Sequence, residues 1–198
     1  MVVLGLLIAF ALAPMVASAL PPAGLIVVSA SAPAGWVVST SADGGALTAS
    51  SACVVGPGTS PLGAGSLELS VGSNGDGGVQ VRQPGYAGVP LTSLTTLRYD
   101  TYVSVFAGCQ APYLILNVDW NFDGVTDDLL FFEPCYQTGA YSGAPVPAQG
   151  APVLDTWQGW DALVGGWWSL NAGSFGPPLV TLASYTAAQP GTRIVNSP

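Results

Sequence analysis

Short runs of alternating apolar and polar residues dominate the chain from residue 36 onward. In the run 66–71, three apolar side chains fall on one face and three polar side chains on the other, a pattern typical of a half-buried β-strand. A similar run at 79–82 follows the turn dipeptides Asn-Gly and Asp-Gly, so 66–83 is predicted to form a β-hairpin. Further extended segments are predicted at 97–106, 113–119, 129–133, 153–163 and 166–170.

One helix is predicted near the end of the sequence, over residues 178–189. A proline stands at its start and Pro190-Gly191 at its end, where these residues commonly begin and end helices. Many short strands with a single short C-terminal helix indicate an all-β protein. The predicted fold is an antiparallel β-sandwich of the jelly-roll type.

An uncharged apolar segment opens the chain. Residues 2–13 form an unbroken apolar run, and Ala17-Ser18-Ala19 supplies the small residues that a signal peptidase requires. The run is shorter than the ~20 residues that cross a bilayer. The prediction is a signal peptide at 1–19, a flexible Pro/Ala/Ser-rich lead-in at 20–35 and one domain at 36–198. The mature chain would be extracellular, with no membrane span.

The amino-acid composition excludes several classes of function. The 198 residues include no histidine, no lysine and three arginines, and the net charge is −8. Without histidine or lysine, a Ser or Thr nucleophile has no ordinary base and zinc has no histidine ligand. Three cations are too few to neutralise a nucleic-acid backbone, so no nucleic-acid partner is expected.

Four segments together give the chain a resemblance to a group of secreted bacterial proteins of uncharacterised activity. They are GPGTSPLGAGS at 56–66, LTTLRY at 94–99, FEP at 132–134, and WQGWD at 157–161 with Trp167-Trp168 after it. That group looks like concanavalin-type or carbohydrate-binding-module-like jelly rolls. The resemblance covers about residues 36–196 and implies the fold. Such proteins often continue into a closing strand, which the resemblance implies is missing after Pro198.

A calcium motif is the sharpest candidate for a metal site. The segment 119–127 matches D-x-N-x-D-G-x-x-D, and calcium takes six to eight oxygens at roughly 2.3–2.6 Å. Leu130 stands where an EF-hand has its last ligand and cannot bind the ion, so the segment is not an EF-hand. It looks more like the calcium loops of dockerins and integrin propellers. A plain hairpin turn is the alternative, since Asn, Asp and Gly are common turn residues. The predicted ligands are Asp119, Asn121, Asp123, the Val125 carbonyl, Asp127 and Asp128.

The cysteines fit the same hairpin. If 113–119 and 129–133 pair about Asp123, Cys109 and Cys135 fall nearly opposite each other. In an oxidising compartment they are predicted to form a disulfide. Cys53 is left over, either as a small buried apolar residue or as an intermolecular partner.

Six tryptophans are many for a chain of this size. Adjacent residues of a strand point to opposite faces, so Trp167 and Trp168 cannot both lie in one core. Exposed indole rings can stack on sugar rings while neighbouring polar groups bond the sugar hydroxyls. The alternative is that the tryptophans pack in the protein core. The predicted ligand-binding residues are Tyr102, Trp157, Trp160, Asp161 and Trp168.

These features predict a secreted, non-catalytic module that binds polysaccharide or a cell-surface glycan, with calcium as its candidate cofactor. A structural or adhesive extracellular protein that assembles through an open sheet edge is the first alternative. A polysaccharide-cleaving enzyme that uses Glu68 and Glu133 is the second. The oligomeric state is left open.

Overall fold

A computed structural model describes residues 31, 33–41, 49–63, 65–72, 77–106 and 108–196, together with the backbone of residues 2–4. Most of the predicted signal peptide and of the predicted lead-in lies outside the described residues.

Within these residues the chain forms eleven strands and one α-helix. The strands are β1 Val2–Leu4, β2 Val37–Ser41, β3 Ser50–Val55, β4 Gly65–Ser70, β5 Gly78–Arg82, β6 Arg98–Val103, β7 Leu114–Asp119, β8 Asp128–Phe132, β9 Trp157–Asp161, β10 Trp168–Ser169 and β11 Arg193–Ile194. The helix, α1, spans Leu182–Ala188. Short 3-10 turns occur at Pro84–Tyr86, Leu91–Ser93, Pro134–Tyr136 and Leu170–Ala172.

The strands form three sheets in which all of the neighbouring strands are antiparallel. A five-stranded sheet has the order β3-β4-β1-β6-β9, a four-stranded sheet has the order β10-β8-β7-β11, and β2 and β5 form a two-stranded ribbon. The prediction of a mainly antiparallel β-protein with one helix is therefore confirmed.

The two larger sheets contribute to one hydrophobic core. Tyr99 on β6 and Trp160 on β9 belong to the same buried cluster as Val118 on β7 and Phe132 on β8. The rings of Tyr99 and Phe132 meet edge-on with their centroids 6.0 Å apart. This contact joins the two sheets across the core.

The predicted strand pair about Asp123 and its disulfide are confirmed. In β7 and β8, Leu114 lies opposite Phe132 in antiparallel register. Cys109 and Cys135 are bonded, with their Cα atoms 5.5 Å apart. Both features depend on residues close in sequence, which is why the sequence pattern located them.

The predicted hairpin at 66–83 is wrong. The strand β4 pairs with β3 and β1, whereas β5 pairs with β2. Alternation shows that a segment is extended and half-buried, but it does not choose the partner strand. Here, the partners come from segments that precede β4 in sequence.

The helix is shorter than predicted because the first part of 178–189 is used in sheet-like pairing. The backbone of Val180 exchanges two hydrogen bonds with Trp167, at 2.7 and 2.8 Å. The helix then begins after Thr181, whose side chain accepts the Ser184 N–H while the Ser184 hydroxyl accepts the Thr181 N–H. This reciprocal pair of bonds is the capping box, which marks a helix start.

The strand β1 takes a central position in the five-stranded sheet. Val2, Val3 and Leu4 pair with β4 on one side, and Val2 and Val3 pair with β6 on the other. These residues belong to the predicted signal peptide at 1–19. The same segment is therefore a predicted export signal and, in the structure, a strand of the sheet.

Among the helices of the described ranges, none has the length and apolar character needed to cross a membrane.

Candidate functional site

The outward side of β6 and β9 brings together most of the predicted sugar-binding residue types. On β6, Tyr99, Thr101 and Val103 are buried, so the alternate residues project away from the core. In the register of the two strands, each outward residue of β6 lies opposite one of β9. We call this set the β6–β9 face: Arg98 opposite Asp161, Asp100 opposite Gly159, and Tyr102 opposite Trp157.

An aromatic pair occupies one end of the β6–β9 face. The rings of Tyr102 and Trp157 meet edge-on, with their centroids 5.6 Å apart. The Trp157 Nε1–H donates to the Pro57 carbonyl at 2.8 Å, and the Tyr102 hydroxyl lies 3.5 Å from Asp155 Oδ1. Both rings are only partly buried. The protein therefore holds a preformed aromatic surface at this end.

An ion pair occupies the other end. Nε and Nη2 of Arg98 both donate to Asp161 Oδ2, at 2.9 and 2.5 Å. The Gln149 side chain holds the backbone N–H and carbonyl of Asp161 at 2.7 and 2.9 Å. The Asp161 carboxylate is thus fixed in place, and the guanidinium balances its charge.

Asp100 lies between these two ends, and the sequence analysis did not select it. Among the described residues, no hydrogen bond or ion pair reaches its carboxylate, and burial raises the pKa of this group. Gly159 stands opposite, and a Cβ added there would lie 3.0 Å from Asp100 Oδ1. The missing side chain leaves the carboxylate accessible from the cleft beside it.

This cleft has a volume of about 540 Å³. Its walls combine the polar part of the β6–β9 face with surrounding loops, and include Leu62, Thr96, Arg98, Asp100, Gln149 and Asp161. The volume lies within the range of small-ligand sites, roughly 300–1,000 Å³. The polar side chains in the wall of this cleft can bond hydroxyl or amino groups of a ligand, while the neighbouring rings of Tyr102 and Trp157 cover an apolar face of it.

The structure removes Trp160 and Trp168 from the predicted ligand-binding set. Trp160 is three residues from Trp157, so it points to the opposite face, where it is 1% exposed and donates to Thr101 Oγ1. Trp168 is 5% exposed, because Phe131 stacks on it with centroids 4.0 Å apart. Neither indole offers an open ring face to a sugar. Trp167, its neighbour, is in the core.

The predicted calcium loop has a dense set of internal hydrogen bonds. The Asp119 carboxylate accepts the N–H groups of Phe122 and Gly124 at 2.6 and 3.0 Å. The Asp127 carboxylate accepts the Trp120 N–H and two bonds from Asn121. Two further bonds close the tip, from the Asp123 N–H to Asn121 Oδ1 and from the Val125 N–H to Asp123 Oδ1. In the described part of the chain, no group of three His, Cys, Asp or Glu side chains is placed to hold a metal.

Asp128 is separate from the other predicted calcium ligands. Its carboxylate is buried and accepts four hydrogen bonds, two from hydroxyls and two from backbone N–H groups. The donors are Ser169 Oγ, the Tyr185 hydroxyl and the N–H groups of Leu129 and Asn171. Burial and the bond to Asp128 raise the pKa of Tyr185 well above its usual value. Asp128 therefore ties β8 to α1 and to the turn after β10.

The two glutamates of the enzyme alternative belong to different sheets. Glu68 lies on β4 of the five-stranded sheet, and Glu133 follows β8 of the four-stranded sheet. Glu133 Oε1 accepts the Trp168 Nε1–H at 2.8 Å. Burial raises the pKa of Glu133, and the bond from Trp168 opposes that shift.

Cys53 is exposed on β3, so its interpretation as a small buried residue is wrong. In the described ranges, β3 is an edge strand that pairs with β4 alone.

A second cleft, of about 650 Å³, lies between the ribbon and the four-stranded sheet. Its walls are mainly apolar and include Val79, Val81, Leu114 and Leu116. It is lined by none of the predicted ligand-binding residues, and we take the β6–β9 face as the candidate site.

No protein-family model, no curated protein and no solved structure matches the chain, so its function has to be argued from the geometry of the β6–β9 face.

Proposed function

We propose that the protein is a secreted, non-catalytic module with a jelly-roll β-sandwich fold, and that it binds carbohydrate through the β6–β9 face. The observation that carries the proposal is the partly exposed Tyr102–Trp157 pair, set in line with Asp100 and Asp161 across two paired strands. Aromatic side chains with an apolar ring face and a polar edge suit ligands that have both kinds of surface.

The fold and the disulfide support the other parts of the proposal. Two antiparallel sheets that share a core are one feature of a jelly roll. The Cys109–Cys135 bond is consistent with an oxidising compartment, as expected for a secreted protein. Binding is favoured over cleavage because Arg98 balances the charge of Asp161, and because Glu68 and Glu133 are on separate sheets.

The test is a glycan-array screen followed by titration of the Trp157→Ala variant. We expect this change to weaken binding roughly tenfold or more, which corresponds to about 1.4 kcal/mol. Tyr102→Ala provides a second variant in case Trp157→Ala fails to fold. Phe175→Ala is the matched control, because Phe175 is 86% exposed and lies outside the face. Binding that both face variants retain in full would overturn the assignment.

A structural or adhesive role is the second candidate, and the β3 edge favours it. The strand carries no charged residue, and Val55 is 91% exposed. At the opposite edge of the sheet, Gln158 bonds the backbone of Ala151 and Val153 and so covers β9. Among the described residues, β4 is the one strand that pairs with β3, and an uncharged edge strand can pair with another chain. Concentration-dependent assembly in light scattering, retained in Cys53→Ser, would support this role, and a strict monomer would count against it.

Calcium binding by the 119–127 loop is a separate proposal, because the loop lies outside the β6–β9 face. In its support, Asn121 and Asp123 are exposed, and a carboxylate that accepts one N–H group keeps lone pairs for a cation. The ion would stabilise the loop and take no part in sugar binding.

A further inference from the structure

We propose that the ligand of the β6–β9 face is a cationic glycan, one rich in glucosamine whose amino group is protonated. This inference rests on the proposed carbohydrate binding and names the class of sugar that the face selects.

First, the β6–β9 face and its surroundings carry more negative than positive charge. Asp161 is neutralised by Arg98, with both donors on one carboxylate oxygen. Asp100 has no cation among the described residues, and Asp155 adds a further negative charge beside the Tyr102 hydroxyl. Arg193, elsewhere in the chain, lies over the Phe122 ring. The face therefore carries an excess negative charge that its own arginine does not balance.

The space beside Asp100 is the second step. Because Gly159 has no side chain, the carboxylate borders the 540 Å³ cleft. A protonated amine placed there can donate charge-assisted hydrogen bonds to Asp100, which are roughly twice as strong as neutral ones. A hydroxyl at the same position gives a bond in which only the acceptor is charged, without the attraction between opposite charges.

The aromatic pair is the third step. Tyr102 lies two residues from Asp100 on the same side of β6. A cation near the ring faces of Tyr102 and Trp157 is attracted by their negative π-surfaces. Glycans with carboxylate or sulfate groups meet repulsion from Asp100 and Asp155 instead. The expected order of affinity is therefore cationic, then neutral, then anionic.

The experiment compares two tetrasaccharides with the same β-1,4 backbone, one of glucosamine and one of N-acetylglucosamine, by calorimetric titration. The pH is mildly acidic, so that the free amine is protonated. We expect the wild-type protein to bind the glucosamine form roughly tenfold or more tightly, because its ammonium group adds an attraction between opposite charges that the acetamide lacks. Asp100→Asn keeps the shape of the side chain and removes its charge, so it should abolish the preference.

Asp76→Asn is the matched control, because it removes an equal charge at a position outside the β6–β9 face, in the sequence between β4 and β5. It should keep the preference, which separates recognition at the face from general attraction to a chain of net charge −8. Equal binding of both sugars, or a preference that survives Asp100→Asn, would overturn the cationic ligand and leave carbohydrate binding intact. Failure to bind any glycan on the array would overturn the proposed function itself.

Discussion

The hairpin tip at 119–128 and the β6–β9 face contain the same residue types and use them in opposite ways. At the tip, the carboxylates of Asp119, Asp127 and Asp128 accept hydrogen bonds from nearby N–H and hydroxyl groups. On the face, Asp161 is held by an arginine, whereas Asp100 has no hydrogen-bonding partner among the described residues.

The difference shows how a structural acid can be distinguished from a candidate binding acid. A carboxylate whose acceptor sites are filled by its own chain stabilises that chain, and removing it leaves buried donors unsatisfied. A partly buried carboxylate without a partner is disfavoured by desolvation, and an external donor or cation would relieve this. The sequence motif identifies the acids of the first region, whereas Asp100, the unpartnered acid of the second, is identified only by the geometry of β6 and β9.

The largest expected effect comes from Asp128→Ala. This change leaves the Ser169 and Tyr185 hydroxyls and two backbone N–H groups without their acceptor. We expect the free energy of unfolding to fall by roughly 3 kcal/mol or more, measured by urea denaturation. Asp100→Ala should cost less than about 1 kcal/mol, as for other changes that break no hydrogen bond. Equal losses in the two variants would remove the distinction between the regions.

The second-largest expected effect is the response of protein stability to calcium. A response would show that the hairpin tip, like the β6–β9 face, binds a ligand. If the 119–127 loop binds the ion, a calcium concentration ten times Kd should stabilise the protein by about 1.4 kcal/mol. The melting temperature should then rise in calcium and return with chelator, and Asp123→Asn should weaken the response. An unchanged melting temperature would leave the tip as a purely structural turn.

The smallest effect is the pH dependence of stability that Asp100 contributes. Burial raises its pKa in the folded protein above the usual 3.8, so folding favours the protonated form. This stability is fully present below the unfolded pKa and is lost as the pH rises through the folded pKa.

Asp100→Asn should therefore be more stable than wild type at neutral pH and equal to it in acid. The charged groups around Asp100, namely Arg98, Asp155 and Asp161, remain in the variant. Melting curves of both proteins across this pH range test the sign. A difference that grows toward low pH would contradict the assignment.

Local features of the fold could be predicted from the sequence, and pairing between distant segments could not. The β7–β8 hairpin and its disulfide depend on symmetry about Asp123, which the sequence displays. The hairpin at 66–83 failed because β4 and β5 each pair with an earlier segment. Turn residues indicate where a chain can reverse, while packing determines which strands meet.

The candidate site was predictable by residue type and only partly by position. Tyr102, Trp157 and Asp161 were chosen because aromatic and acidic residues recognise sugars, and the structure places them on one face. Asp100 and Gly159 were missed because their juxtaposition depends on the register of β6 and β9. The alternation of Arg98, Asp100 and Tyr102 indicates that these three side chains share one side of β6. Which residues of β9 lie opposite them becomes known only from the register of the two strands.

The central position of β1 limits when the predicted signal peptide is accessible. Once residues 2–4 are hydrogen-bonded to both β4 and β6, a translocase that reads unfolded apolar segments has no access to them. If residues 1–19 act as a signal peptide, export and this folded state compete for the same residues. Removal of residues 1–19 would take away the strand that joins β4 to β6. The precursor and the processed chain would thus differ in the continuity of a sheet as well as in length.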